Sequence, residues 1–232
     1  MRNIQKQAEP KSLTQHRCNT NANYANYVKK GKLRDSLVSE QRGICCYCMQ
    51  RIRPNLKSMK IEHWQSQSPN KFPKKQLDYG NLLGACLGEH GQSKKNQHCD
   101  TRKGDDDILF NPANPSHDVE RFFKLPATGL IQSDDPQIQK QISDEISDDI
   151  DDPKIKHYSS LNLNHPKLVN NRKAVIDAFI QVLQKEQVRD SDLTKHLADW
   201  EGKNGGQLRP FCQVIVYYLR KKVNRMPPKT IK

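Results

Sequence analysis

The 232-residue chain has no apolar run near the ~20 residues of a membrane-spanning helix, and its first residues lack the apolar core of a signal peptide. Membrane insertion and export are therefore not expected, and the cytoplasm is the expected location. Material for a core is scarce as well. Hydrophobic residues make up 34%, aromatics 6%, and the mean hydropathy is −0.92, so the expected core is modest and much surface is left for partners. Two catalytic devices are missing too. There is no glycine-rich phosphate loop, and no serine or cysteine sits in a nucleophile elbow, which argues against ATP hydrolysis by this chain and against a covalent acyl intermediate.

What the chain does have is positive charge. The net charge is +13 and the pI near 9.4, which favours a polyanionic partner because Lys and Arg neutralise phosphates and release condensed counterions. The charge is also uneven. Residues 134–152 hold eight acidic residues against Lys140, a local charge of −7; with the chain at +13 overall, the rest carries +20. Nucleic acid is the expected target of that basic remainder, with Lys60, Lys94, Lys95 and Arg102 as contact candidates. In the acidic segment Ile138, Ile142, Ile146 and Ile150 recur every four residues, as on a helix face, but the Ser and Asp around them are poor helix formers. A solvated acidic loop is the expected form, and an acidic element that docks on a partner or shields the basic cleft is the alternative.

Five of the seven cysteines lie between positions 45 and 99. A structural zinc ion takes four Cys or His ligands at about 2.0 to 2.3 Å, two of them often from a tight C-x2-C turn. Cys45 and Cys48 have that spacing, whereas Cys46 and Cys48 stand too close. Cys86 and Cys99 are the expected second pair, with His90 and His98 as rivals for the fourth position. Disulfides are not expected in a reducing cytosol, and Cys18 and Cys212 read as ordinary thiols.

Between the cysteines lie residues suited to phosphodiester hydrolysis, which needs a base to deprotonate water and a cation to neutralise developing charge. His63, with an ordinary pKa near 6.5, is roughly three-quarters neutral at pH 7 and can accept a proton. Glu62 and Asp100 offer the hard oxygens that Mg²⁺ prefers, and Mg²⁺ commonly takes only one or two carboxylates. Adjacent strand residues point to opposite faces, so Glu62 and His63 share one site only where the strand ends or distorts. His16, His117, His157, His165 and His196 have no metal-like neighbourhood.

Ile61-Glu62-His63-Trp64, Tyr79-Gly80-Asn81-Leu82-Leu83 with Cys86, and Cys99-Asp100-Thr101-Arg102-Lys103-Gly104 together resemble the three segments of an HNH nuclease. The resemblance implies an α+β fold with a ββα-metal core and a structural zinc knuckle, flanked by N-terminal and C-terminal helices. It implies His63 as general base, Asn81 as the brace of the loop, Lys103 on the phosphate, and Asp100 with Glu62 on Mg²⁺ or Mn²⁺. At lower specificity, Met1-Arg2-Asn3-Ile4 with Pro10, and Leu161-Asn162-Leu163-Asn164-His165-Pro166 leading to Arg172, resemble the PtuB-like HNH subunits of Septu and retron-associated anti-phage systems. That likeness implies a PtuA-like ABC-type ATPase partner, and a retron reverse transcriptase with its RNA-DNA product as a further one. DNA is the favoured substrate, with RNA such as tRNA the other. A noncatalytic zinc-binding module that recruits nucleic acid or protein is the alternative function.

Four segments follow from the punctuation of the chain: helices over 1–43, the nuclease core with its zinc site over 44–115, a hairpin and acidic linker over 116–160, and helices over 161–232. Pro54-Asn55 and Ser68-Pro69-Asn70 mark turns within the core, and Asn111-Pro112 and Asn114-Pro115 mark its exit. Phe122 to Ile131, with Thr128-Gly129 between, predicts a short hairpin. The spacing of Leu168, Val175, Ile176, Phe179, Ile180 and Leu183 predicts an amphipathic helix after Pro166, followed by two shorter ones near 193–200 and 208–223.

Overall fold

A computed structural model describes residues 1–146, 155–189 and 192–224. Two helices, α1 (Lys11–Arg17) and α2 (Lys30–Glu40), precede an antiparallel pair, β1 (Met59–His63) and β2 (Leu82–Cys86), and a short helix α3 (Cys99–Lys103). Then come α4 (Val119–Phe122), α5 (Pro136–Ile142), the small pair β3 (Glu145–Ile146) and β4 (Ile155–His157), and three helices, α6 (Pro166–Lys185), α7 (Leu193–Glu201) and α8 (Cys212–Val223). The fold is α+β, with little sheet and an apolar core shared between helices and the loops that connect them.

The β1–β2 register pairs Met59 with Cys86 and His63 with Leu82. Every residue of β2 is buried, which explains why Leu82 to Cys86 reads as a continuous apolar run rather than an alternating one. Gln41, at the end of α2, extends the sheet with its side chain: its amide accepts from Gly84 N at 2.5 Å and donates to Gly84 O at 2.8 Å. The cysteine knuckle is a tight reversal, bridged between Ile44 and Arg51 and turned by Met49 at φ 67°. It is tied to β2 by Cys46 N donating to Gly84 O at 3.0 Å.

One buried cluster runs from Val38 through the knuckle, β2, Phe110 and Phe123 to Leu168, Ile176 and Leu219, so segments from all parts of the chain share a core. Helix α6 has Pro166 in its first turn, where the missing N–H costs nothing, and the His165 side chain accepts from Lys167 N at 3.3 Å. Helix α7 stops at Gly202, whose φ of 74° is the left-handed conformation that favours glycine. The hairpin near 124–132 forms, with Lys124 and Gln132 exchanging both backbone hydrogen bonds at 2.8 and 3.0 Å; Phe122 instead ends α4.

In its described part, residues 134–146, the acidic segment holds a short helix where a solvated loop is expected. Asp135 caps α5 by accepting from Gln137 N and Ile138 N, and Ile138 and Ile142 are buried. Capping at Asp135-Pro136 and two buried isoleucines outweigh the weak propensity of the polar residues between them. Ile146 is exposed, and Ile150 lies outside the described residues. Among the described residues no helix is long and apolar enough to cross a membrane.

Candidate functional site

The Sγ atoms of Cys45, Cys48, Cys86 and Cys99 all lie within 4.8 Å of one another, and all four residues are buried. Cys48 and Cys86 are 3.6 Å apart, Cys45 and Cys99 4.0 Å. A tetrahedron of thiolates about 2.3 Å from zinc requires sulfurs separated by roughly 3.8 Å, so the donor set is positioned to bind a metal ion and fits structural zinc. The fourth position is held by Cys99. His98 stands just outside, with Nδ1 at 3.2 Å from Cys99 Sγ, while His90 is exposed and meets Lys60 Nζ at 3.2 Å. Cys46 is buried and in side-chain contact with Cys45 but is not one of the four.

Local folding explains the convergence. The knuckle supplies Cys45 and Cys48, the end of β2 supplies Cys86, and Cys99 opens α3 at φ 56°. The chain returns from Cys86 to Cys99 through a loop closed by His98 N donating to Gly88 O at 3.1 Å. A Cβ on Gly88 would fall 2.1 Å from the His98 carbonyl oxygen, so only glycine permits this closure. Backbone donors already face sulfur: Cys86 N lies 3.3 Å from Cys45 Sγ and Gln50 N 3.5 Å from Cys48 Sγ. Burial would raise the Cys45 thiol, yet hydrogen bonds from Cys46, Cys48, Cys86 and Cys99 outweigh it and draw Cys45 well below its ordinary pKa. Hydrogen bonds with Cys45 and Cys48 hold Cys86, and burial holds Cys99, well above the ordinary thiol value, so metal binding would have to displace their protons.

Beside this centre lies a second cluster. Glu62 is 1% exposed; its carboxylate accepts from the Tyr47 hydroxyl at 2.7 Å and pairs with Lys103 Nζ at 3.1 Å. The same Nζ donates to His63 O at 3.1 Å. Burial first, then the Asp100 carboxylate in hydrogen-bond contact, push Glu62 well above the carboxylate range, against the opposing pull of Lys103 and Tyr47. Two carboxylates in contact inside a protein share a proton or a cation. A cation seated between them would restore both charges. Asp100 is only half-buried and forms the open side of the pair.

His63 and Glu62 take separate partners, as adjacent strand residues do. The His63 ring meets Tyr24 edge-on at 4.5 Å and its Nε2 lies 3.1 Å from Gln76 O. A carbonyl only accepts, so Nε2 carries the hydrogen and Nδ1 is the basic nitrogen. Burial holds His63 below its ordinary 6.5, partly opposed by Gln76 and by the Asp100 charge. Asp100 thus acts on both faces of the strand end. Asn81 fixes the loop that carries Gln76: its Nδ2 donates to Gln65 O at 2.9 Å and Lys75 O at 3.1 Å, and its Oδ1 accepts from Gln65 N at 2.7 Å.

The nucleic-acid contact candidates divide. Lys94 and Lys95 are exposed, and Lys60 is half-buried, its Nζ donating to Thr101 Oγ1 at 2.8 Å. Arg102 does not belong with them. It is 3% exposed, bonded to Ser159 O and Lys94 O and paired with Asp144 at 2.6 Å, so its charge is spent holding the acidic segment to α3. Sequence reasoning passed over Tyr24, Tyr47 and Arg34. Tyr24 is raised to about 12, chiefly by burial, with Arg34 pulling down and Asp100 pushing up. Arg34 Nε is buried without a hydrogen-bond partner. No family model matches the chain, and no curated protein or solved structure matches it at significance.

Proposed function

We propose that the protein is a zinc-stabilised, metal-dependent endonuclease of the HNH kind, cutting phosphodiester bonds in nucleic acid, with DNA favoured. The observation that carries this reading is Glu62, buried at β1 and paired with Lys103 of α3 at 3.1 Å, with the Asp100 charge helping to raise its pKa, beside a histidine whose free nitrogen is Nδ1. The succession β1, β2, α3 supports it, since it has the order of a ββα unit.

In this reading Cys45, Cys48, Cys86 and Cys99 hold zinc as scaffold, and Glu62 and Asp100 hold Mg²⁺ or Mn²⁺. That cation supplies charge neutralisation at the scissile phosphate and the departing oxygen. His63 Nδ1 takes the proton of the attacking water, and the Gln76 carbonyl keeps the ring in the tautomer this requires. Asn81 positions His63 by bracing residues 65 and 75. Lys103, tied to Glu62 and to His63 O, keeps the carboxylate aimed at the end of the strand. Arg34, half-buried near Tyr24, is assigned a contact to a substrate phosphate in this reading. Lys60, Lys94 and Lys95 extend that basic track. Following the family resemblance, the nuclease is the effector of an anti-phage complex with an ABC-type ATPase.

The test is cleavage of plasmid DNA and of total RNA, side by side, by the protein with Mg²⁺ or Mn²⁺, alone and with such an ATPase and its nucleotide. His63→Ala is expected to abolish cutting while zinc content and melting temperature stay as in the wild type. Equal cutting by both proteins overturns the assignment of His63. A second reading, a noncatalytic zinc-binding module, draws on the near-complete burial of Glu62 and Lys103. Binding of nucleic acid without cleavage under every condition would favour it.

A further inference from the structure

Helix α6 buries Leu168, Arg172, Ile176 and Phe179 along one stripe. The second member is a guanidinium with 0% exposure. Its hydrogen bonds run to neutral acceptors only: Gly129 O at 2.5 Å, Leu163 O at 2.8 Å and Asn164 Oδ1 at 3.5 Å. Nη1 is buried with no partner. Burial drags the group down to about 10, so it remains charged at neutral pH; Cys48 and Cys99 are the nearby groups that oppose that fall. A buried cation without a counter-charge is strongly unfavourable, and among the described residues no carboxylate pairs with this one.

The segment 161–165 links the arginine to the cysteines. Leu161 O accepts from Cys99 N at 2.9 Å, and two residues later Leu163 O accepts from Arg172. Asn162 Nδ2 donates to Lys95 O and Gln97 O at 3.2 and 2.9 Å, clasping the loop that ends in Cys99. The His165 ring lies 5.8 Å from that of His98. Asn171 and Ala174, on either side of Arg172, line the same groove as Cys86 and His98.

We infer that Arg172 is the counter-cation of the four-cysteine centre, so that metal loading and docking of α6 are one equilibrium. This rests on the reading that the centre binds zinc. Four thiolates around a divalent ion form a dianion. Amide and imidazole donors soften it, but they bring no full charge into the interior; Arg172 does. Four neutral thiols would leave the guanidinium without an opposing charge and α6 weakly held.

The experiment uses the full chain as wild type, Arg172→Met and Arg172→Lys. Zinc affinity is measured by competition with a chromophoric chelator, stability by thermal melting with and without zinc, and docking by hydrogen exchange over residues 166–185. The wild type is expected to bind one zinc ion, and chelation to speed exchange across α6. Arg172→Met should bind zinc about 10- to 100-fold more weakly, the range for lost partners just outside a metal's ligands; Arg172→Lys should fall between. With zinc, Arg172→Met should melt below the wild type, and without zinc above it, because an unpaired charge has been removed. Equal losses with and without zinc, or unchanged zinc affinity, overturn the inference and leave Arg172 as packing. If Arg172→Met does not fold, the wild type decides: α6 exchange indifferent to chelation overturns it. A wild type that binds no zinc overturns the zinc reading itself.

Discussion

Two clusters stand side by side in this molecule, and they are built on opposite plans. The cysteine centre is closed: four buried donors come from three stretches of chain, and backbone amides already face the sulfurs. The carboxylate centre is open. Two acids meet at the end of a strand, one sealed and one half-buried, and a lysine supplies the charge that lets them coexist. A closed donor set fixes structure, whereas an incomplete one leaves room for water and substrate. The two plans therefore predict different responses to damage.

The largest response is expected at the closed centre. Cys99→Ser, or zinc chelation, should remove well over about 5 kcal/mol of stability, since metal binding in such sites is folding free energy. Melting curves with metal content measured in parallel check it. If Cys99→Ser melts like the wild type, the centre is not structural and the contrast collapses. Removing Mg²⁺ or Mn²⁺ should leave the melting temperature within a few degrees.

Lys103→Met strikes the open centre where it is most costly. It strips from the buried Glu62 its only cationic partner among the described residues, beside the half-buried Asp100, and should destabilise by about 3–5 kcal/mol, as when one partner of a buried pair is lost. Adding Asp100→Asn to it should recover much of that loss, because the repulsion between the two carboxylates is removed. Denaturant melts of the single and double variants read this directly; additive losses would mean that Lys103 supports packing rather than charge.

His63→Ala belongs to neither stability plan. It should lower cleavage by about 10²- to 10⁴-fold, the usual weight of a general base, and change stability little, because its ring bonds only Gln76 O and packs on Tyr24. Arg34→Ala should act more gently, raising KM about tenfold with kcat held, if it contributes one charge-assisted contact to phosphate. A loss confined to kcat would move Arg34 from binding into the chemical step.

The same contrast explains what could be read from the chain beforehand. The cysteine ligands were legible because C-x2-C carries its geometry in its spacing, and α6 because its apolar period is long. Which acids and bases meet was harder. Arg102 looks like a phosphate contact until Asp144, 42 residues on, is found paired with it. Lys103 sits four-fifths of a turn from Asp100 but is bound by Glu62 on another element. Such long-range pairing leaves no periodic trace. Arg172 did leave one: a charged residue at a buried position of an otherwise apolar stripe needs a counter-charge. The helix within the described part of the acidic segment is hard to read for a related reason, since Asp135-Pro136 is a helix start whose strength lies in capping rather than in propensity.

The smallest effect is a displacement of the pH profile, and it probes why His63 is set apart from the carboxylates. Burial favours the neutral ring, so its pKa in the folded protein lies below the 6.5 of an unfolded chain. Between those two values the unfolded chain holds more protons, and acid therefore favours unfolding in that window while adding nothing further below it. Cleavage follows the same group: the rate should hold at pH 6.5 and fall only at lower pH, as Nδ1 becomes protonated. Tyr24→Ala opens the ring to water, relieves the desolvation that lowers the pKa, and should move the acid limb up toward 6.5. A limb that stays in place in that variant would assign the titration to another group, with Asp100 the first to examine.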